Sequence, residues 1–120
     1  MSLESELVAY LESQSLSCAD RIYPARLPET PTLPAVVFAQ VSTPVIDIIH
    51  AGDTVYELDR YQFDCYAQKY VDAKALARVL IEALRLWPDY ETYLENMLDL
   101  TEFEPDRYRI TVEFFIGGAQ

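Results

Sequence analysis

Apolar positions first recur at a helical spacing. Leu3, Leu7, Tyr10 and Leu11, with Val8 beside them, form one stripe, which predicts an amphipathic helix. Ser2 suits its N-cap, and Glu4 and Glu6 suit the positive end of its dipole. The hydroxyls from Ser13 to Ser17 compete for the backbone and predict the end of that helix. Four prolines follow between Ile22 and Pro34. They forbid a helix and remove ladder donors, so an extended connector is expected. It opens onto Ala35–Val41, apolar on both faces apart from Gln40, which reads as a buried strand.

Val45-Ile-Asp-Ile-Ile49 is β-forming, and Ala51-Gly-Asp53 is a turn signal. A protruding β-hairpin arm is expected there. Its isoleucines either close one end of the core or pack against a neighbouring subunit. Arg60–Ala67 alternates more clearly. Tyr61, Phe63, Cys65 and Ala67 take one face, and Arg60, Gln62, Asp64 and Tyr66 the other, which is wet or meets a partner. Ala73, Leu76, Ala77, Leu80, Ile81 and Leu84 then predict a second helix, opened by Asp72 and stopped by Pro88. Asp89 to Asn96 reads as a turn or loop, and Met97–Phe103 as a strand. Glu104-Pro-Asp-Arg107 reads as a type I turn. Last comes a strand with Tyr108, Ile110, Val112, Phe114 and Ile116 toward the core and Arg109, Thr111 and Glu113 away from it.

Consecutive strands of this kind pair as antiparallel hairpins. The expected fold is one α+β domain over 1–120, two-layered, with a mostly antiparallel sheet and both helices on one face.

Composition narrows the function. Half of the 120 residues are apolar (51%), too many for a disordered tail. No run of about 18 apolar residues suggests a membrane span. Twenty acidic residues against nine basic leave a net charge of −11, the reverse of what non-specific DNA binding needs. Glu4, Glu6 and Glu12 interrupt any signal-peptide core. Cys18 and Cys65 are too few for a disulfide-stapled secreted domain and read as reduced thiols in a cytoplasmic protein.

Candidate chemistry is sparse. His50 has no nucleophile at a telling spacing, and three glycines cannot build a phosphate-binding loop. Two Cys and one His are too few for a closed zinc site. Asp64, with Glu57 and Asp59 upstream, is the nearest thing to a divalent-cation site, but scattered surface acids explain it better. No metal, cofactor or catalytic residue is expected.

Several landmarks stand in order along the chain: a short N-terminal helix, Arg21-Ile-Tyr-Pro24, Leu33-Pro-Ala-Val-Val-Phe38, and a hairpin. Tyr61-Gln-Phe-Asp-Cys-Tyr-Ala67, Tyr70-Val-Asp-Ala-Lys-Ala-Leu-Ala77 and Arg109-Ile-Thr-Val-Glu-Phe114 follow. Taken together, over residues 18–85 and 107–115, the chain resembles the tail-completion, or tail-to-head joining, proteins of long-tailed phages and prophages, related in role to tail terminators. The resemblance implies a non-enzymatic structural protein that forms a ring, a hexamer, at the head-proximal end of the tail tube. Its partners would be further copies of itself, the tail tube protein and the head connector proteins. It would assemble in the host cytoplasm and end in the virion tail.

Ring closure needs one patch to meet a different patch on the next protomer. Ile46, Ile48 and Ile49 of the arm are the candidates for one, and Arg60, Gln62, Asp64 and Tyr66 for the other. From Asp89 to Asp106 there are seven acids and no Lys or Arg. Asp89, Glu91, Glu95, Asp99 and Glu102 are candidates for a lumen lining that repels DNA, which passes without being bound. Acidity also serves solubility. The same acids open an alternative, an acidic binding module of the DNA-mimic inhibitor type, if they are spaced like phosphates along one face.

Overall fold

A computed structural model of the chain describes residues 3–42, 58–101 and 107–117. The first helix, α1, covers Leu3–Glu12 and buries Leu7 and Leu11. It ends where the serines begin, and the Ser13 hydroxyl donates to the Tyr10 carbonyl at 2.6 Å. The proline-rich connector holds one element the sequence did not signal. Ile22–Pro24 forms a short strand, β1, parallel to β2 (Ala35–Ser42). Pro24 is tolerated because it ends an edge strand, where no ladder donor is required. The Arg21 guanidinium ties the connector's two ends together, Nε donating to the Pro34 carbonyl at 2.9 Å.

The strand β3 spans Leu58–Ala67, α2 spans Tyr70–Arg85, β4 spans Glu91–Thr101 and β5 spans Tyr108–Gly117. Asp72 lies in the first turn of α2 and Arg85 in its last, both favourable to the dipole. The sheet order is β1-β2-β3-β5-β4. Apart from the parallel β1–β2 pair, every pairing is antiparallel. Two expectations are corrected here. Residues 91–96 are not a loop, because β4 pairs along the whole of β5, from Glu91 opposite Gly117 to Thr101 opposite Tyr108. The strands also do not pair only with their sequence neighbours. The chain leaves β3, runs through α2 to the sheet edge as β4, and returns as β5 between them.

Both helices lie on one face. Leu7 and Leu11 of α1 and Leu76, Leu80 and Leu84 of α2 join Val36, Phe38, Phe63, Ile110, Val112, Phe114 and Ile116 in a single core. Phe63 and Phe114 meet edge to face at 6.4 Å. Trp87 is buried at the end of α2 and stacks on Tyr10 of α1, 5.2 Å between centroids. The Tyr10 hydroxyl donates to the Ala83 carbonyl at 2.6 Å, so α1 is fastened to α2 by a ring and a hydrogen bond together. Tyr90, just beyond, donates to Glu6 of α1. That bond is the main reason the Tyr90 hydroxyl is held above its usual pKa.

The hairpin arm, with Ile46, Ile48, Ile49 and His50, lies outside the described residues, as does Glu102.

Candidate functional site

The face of the sheet away from the helices gathers the polar residues that alternation placed outward. Register sets their neighbours. On β3, Arg60 is opposite Phe115, Gln62 opposite Glu113, Asp64 opposite Thr111 and Tyr66 opposite Arg109 of β5. On the other side of β3, Gln62 is opposite Ala39 and Asp64 opposite Val37 of β2. The centre of this face is not wet. Asp64 is 9% exposed, Thr111 1% and Glu113 9% within a single protomer. Each sits on an interior strand of the sheet.

Burial of this kind demands partners, because an unsatisfied polar group costs free energy away from water. Thr111 Oγ1 donates to Asp64 Oδ1 at 2.7 Å, and Gln62 Nε2 approaches both Asp64 oxygens at 3.3 Å. Arg60 joins two acids from different strands. Its Nη2 donates to Glu113 Oε2 at 3.0 Å, and its Nε lies 2.8 Å from Glu95 Oε2. The Nε contact is ionic and is not aligned as a hydrogen bond. The face therefore has a closed polar centre with an apolar margin: Val41 and Tyr93 are exposed, and so is Leu98, opposite Thr111 on β4.

The structure thus places Arg60, Gln62, Asp64 and a half-buried Tyr66 on one face in two bonded groups, and adds three members: Thr111 to the Gln62–Asp64 group, and Glu113 and Glu95 to Arg60. Outward alternation on β5 was the available signal for the first two. Their contact with β3 is a matter of register, which the sequence did not supply.

The candidate lumen acids are divided between surfaces. Asp89 is exposed in the turn after α2, and Glu91 begins β4, within 3.4 Å of the Tyr93 hydroxyl. Glu95 stands at the bulge between Leu94 and Asn96 and is taken up by Arg60 on the outer face. Asp99 is on the helix side, accepting from the Tyr70 hydroxyl of α2 at 2.6 Å. Lys74 Nζ donates to that same hydroxyl at 3.3 Å and sits 5.5 Å above the Tyr70 ring.

The two thiols are buried. Burial pushes the Cys65 pKa well above its ordinary value, and burial is also the main reason Cys18 is raised. Among the described residues, no three His, Cys, Asp or Glu side chains converge as metal ligands, and no helix is long and apolar enough to cross a membrane. A groove of about 350 Å³ lies between the connector and the start of α2, lined by Leu33, Pro34, Gln68 and Asp72 among others.

No protein-family model and no curated protein matches this chain. Solved structures do match. One is a chain from the virion of a native gene transfer agent particle, 17% identical, with a TM-score of 0.60 over 93% of this chain and 95% of that one. At that identity the likeness establishes a shared fold.

Proposed function

We propose that this chain is a structural protein of a phage-type particle, one that caps or completes the tail tube and joins it to the head connector as a ring of copies of itself. The carrying observation is the likeness, across nearly the full length of both chains, to a chain of a gene transfer agent virion. The ordered landmarks from Arg21-Ile-Tyr-Pro24 to Arg109-Ile-Thr-Val-Glu-Phe114 point the same way. The role rests on shape and association and uses no catalytic group. In the ring, the arm residues Ile46, Ile48 and Ile49 form one contact. The outer sheet face carrying Arg60, Gln62, Asp64 and Tyr66 forms the other. The network through Asp64 holds that face rigid. A net charge of −11 gives the ring a negative potential, so DNA passes through without being held.

The DNA-mimic alternative needs a row of acids along one face. Glu95 is neutralised by Arg60 on the outer face, and Asp99 is engaged by Tyr70 on the helix side, so β4 offers no such row.

Light scattering on the purified protein, alone and with tail tubes, tests the proposal, with electron microscopy of the mixture. The expected result is a ring, either at high concentration or at one end of each tube. Ile48→Asp is expected to leave the fold intact and abolish that assembly. A protein that stays monomeric at every concentration and leaves tube ends bare overturns the proposal.

A further inference from the structure

Neither the fold nor the proposed role gives the two thiols a task. Cys18 stands in the turn after α1 and Cys65 in β3, and both are fully buried in the same core. A short relay links their backbones. The Arg21 amide donates to the Cys18 carbonyl at 2.9 Å, and the Val36 amide donates to the Arg21 carbonyl at 3.0 Å. Val36 is in turn the cross-strand partner of Cys65. Two hydrogen bonds and one strand pairing therefore join residues that lie far apart in the sequence. The side chains approach as well. After burial, the charge of Cys18 is the next cause holding the Cys65 thiol above its ordinary pKa, so the two sulfurs lie within electrostatic reach of each other. Cys18 Sγ is tied only weakly, donating to the Ala19 carbonyl at 3.9 Å.

We infer that Cys18 and Cys65 are a latent disulfide pair, kept as two thiols in a reducing compartment and joined outside it by exchange with a small-molecule disulfide. The thiolate of one cysteine attacks a sulfur of that reagent, forming a mixed disulfide and expelling one small thiol. The second cysteine, as its thiolate, attacks the protein sulfur of the mixed disulfide. The Cys18–Cys65 bond forms, and the second small thiol leaves. The protein loses two protons and two electrons, and the reagent is reduced to two thiols.

A disulfide tolerates only a narrow range of Cα separation, so one partner must be able to adjust. Cys65 is fixed between Val36 and Ile110 on an interior strand, whereas Cys18 is in a turn, and the adjustment falls there. The bond fastens that turn to the centre of the sheet and closes the loop that holds β1 and β2. Long loops gain most from closure, because the unfolded chain loses most freedom. On the proposed role, a particle component made inside the host and released from it meets the two compartments in turn. The pairing itself does not depend on that role.

The test exposes the reduced full chain, dilute and without denaturant, to oxidised glutathione at pH 8 for several hours. The long exposure is needed because buried thiols react only as the chain opens. Remaining thiols are then alkylated in denaturant and the intact mass is measured. The expected product is a monomer lighter by two hydrogen atoms, with no alkyl group and no glutathione attached. Peptide mapping should join the peptide of Cys18 to that of Cys65. The urea midpoint of this product should rise by about 1 M or more and fall back on reduction. Cys18→Ala and Cys65→Ala chains, checked for folding by circular dichroism, should take up one glutathione at most and show no such rise. A chain that keeps both thiols overturns the inference, as does one that stops at mixed disulfides or forms only linked dimers. An internal bond that lowers the urea midpoint also overturns it, because the bridge then does not fit the native packing. None of these outcomes bears on ring assembly, which is measured separately.

Discussion

The Thr111 hydroxyl donates to Asp64 Oδ1 at 2.7 Å, joining the two interior strands β3 and β5 on the face away from the helices. Both residues are buried, so each needs a hydrogen-bond partner within the protein. Thr111→Val keeps the shape and removes the donor. It is expected to cost about 1–3 kcal/mol, because the buried carboxylate loses its short hydrogen bond and keeps only the longer Gln62 contacts. Adding Asp64→Asn is expected to recover part of the loss, because a neutral amide costs less to bury than a carboxylate. Urea unfolding measures both, and a Thr111→Val chain as stable as the parent would remove the network's structural role.

Arg60 holds two carboxylates of unequal burial. The Glu113 side chain is 12% exposed and the Glu95 side chain 32%. Double-mutant cycles with Arg60→Ala are therefore expected to give unequal couplings. The Glu95 pair should lie within about 0.2–1 kcal/mol, as for exposed ion pairs. The Glu113 pair, hydrogen-bonded and better shielded, should reach about 1.5–3 kcal/mol. High salt should weaken the first more than the second. Equal couplings with equal salt dependence would contradict this assignment.

Alkaline pH should unfold the protein from its core outward. Burial, helped by the nearby Glu4 and Asp59, pushes the Tyr61 hydroxyl up to about 12, and burial raises Cys65 well above its ordinary 9.0. Both groups are neutral when protonated, and both hold their protons longer in the folded than in the unfolded chain. Below about pH 9 the two states bind the same number of protons at these sites, and stability is unaffected by them. Above it the unfolded chain loses protons first, so stability falls as pH rises toward 12. Chemical denaturation at stepped pH should show that decline, with Tyr61→Phe removing the part that begins near pH 10. A flat profile from pH 9 to 12 would be the contrary result.

The thiols should be silent in the native state. Cys18 and Cys65 are buried with raised pKa values, so little thiolate is present or reachable at neutral pH. A thiol reagent at pH 7.5 is expected to label them only as fast as the chain opens, and rapidly in denaturant. Immediate labelling of the folded protein would contradict the packing of Cys65 between α2 and the sheet.

What could be read along the chain was whatever repeats locally. The stripe from Ala73 to Leu84 and the alternation of Tyr61, Phe63 and Cys65 each need only a few neighbouring residues to reveal their period, and both elements are present with those residues buried. The strand β4 was hidden for an equally local reason. A bulge between Leu94 and Asn96 inserts one residue and breaks the two-residue period, so Glu91–Asn96 resembles a polar turn. The strand β1 is three residues long and ends in proline, too short to show any period.

By itself, then, the sequence determined the class of fold, the face each regular strand buries and the excess of negative charge, because those follow from side-chain period and composition. Tertiary structure alone decided that β5 enters between β3 and β4, and hence that Thr111 meets Asp64 and Arg60 meets Glu113. It also decided that the acids of β4 part company, Glu95 to one side and Asp99 to the other. Pairing partners and register arise from contacts between residues up to 59 positions apart, as Leu58 and Gly117 are, and nothing in the local pattern of either strand encodes them.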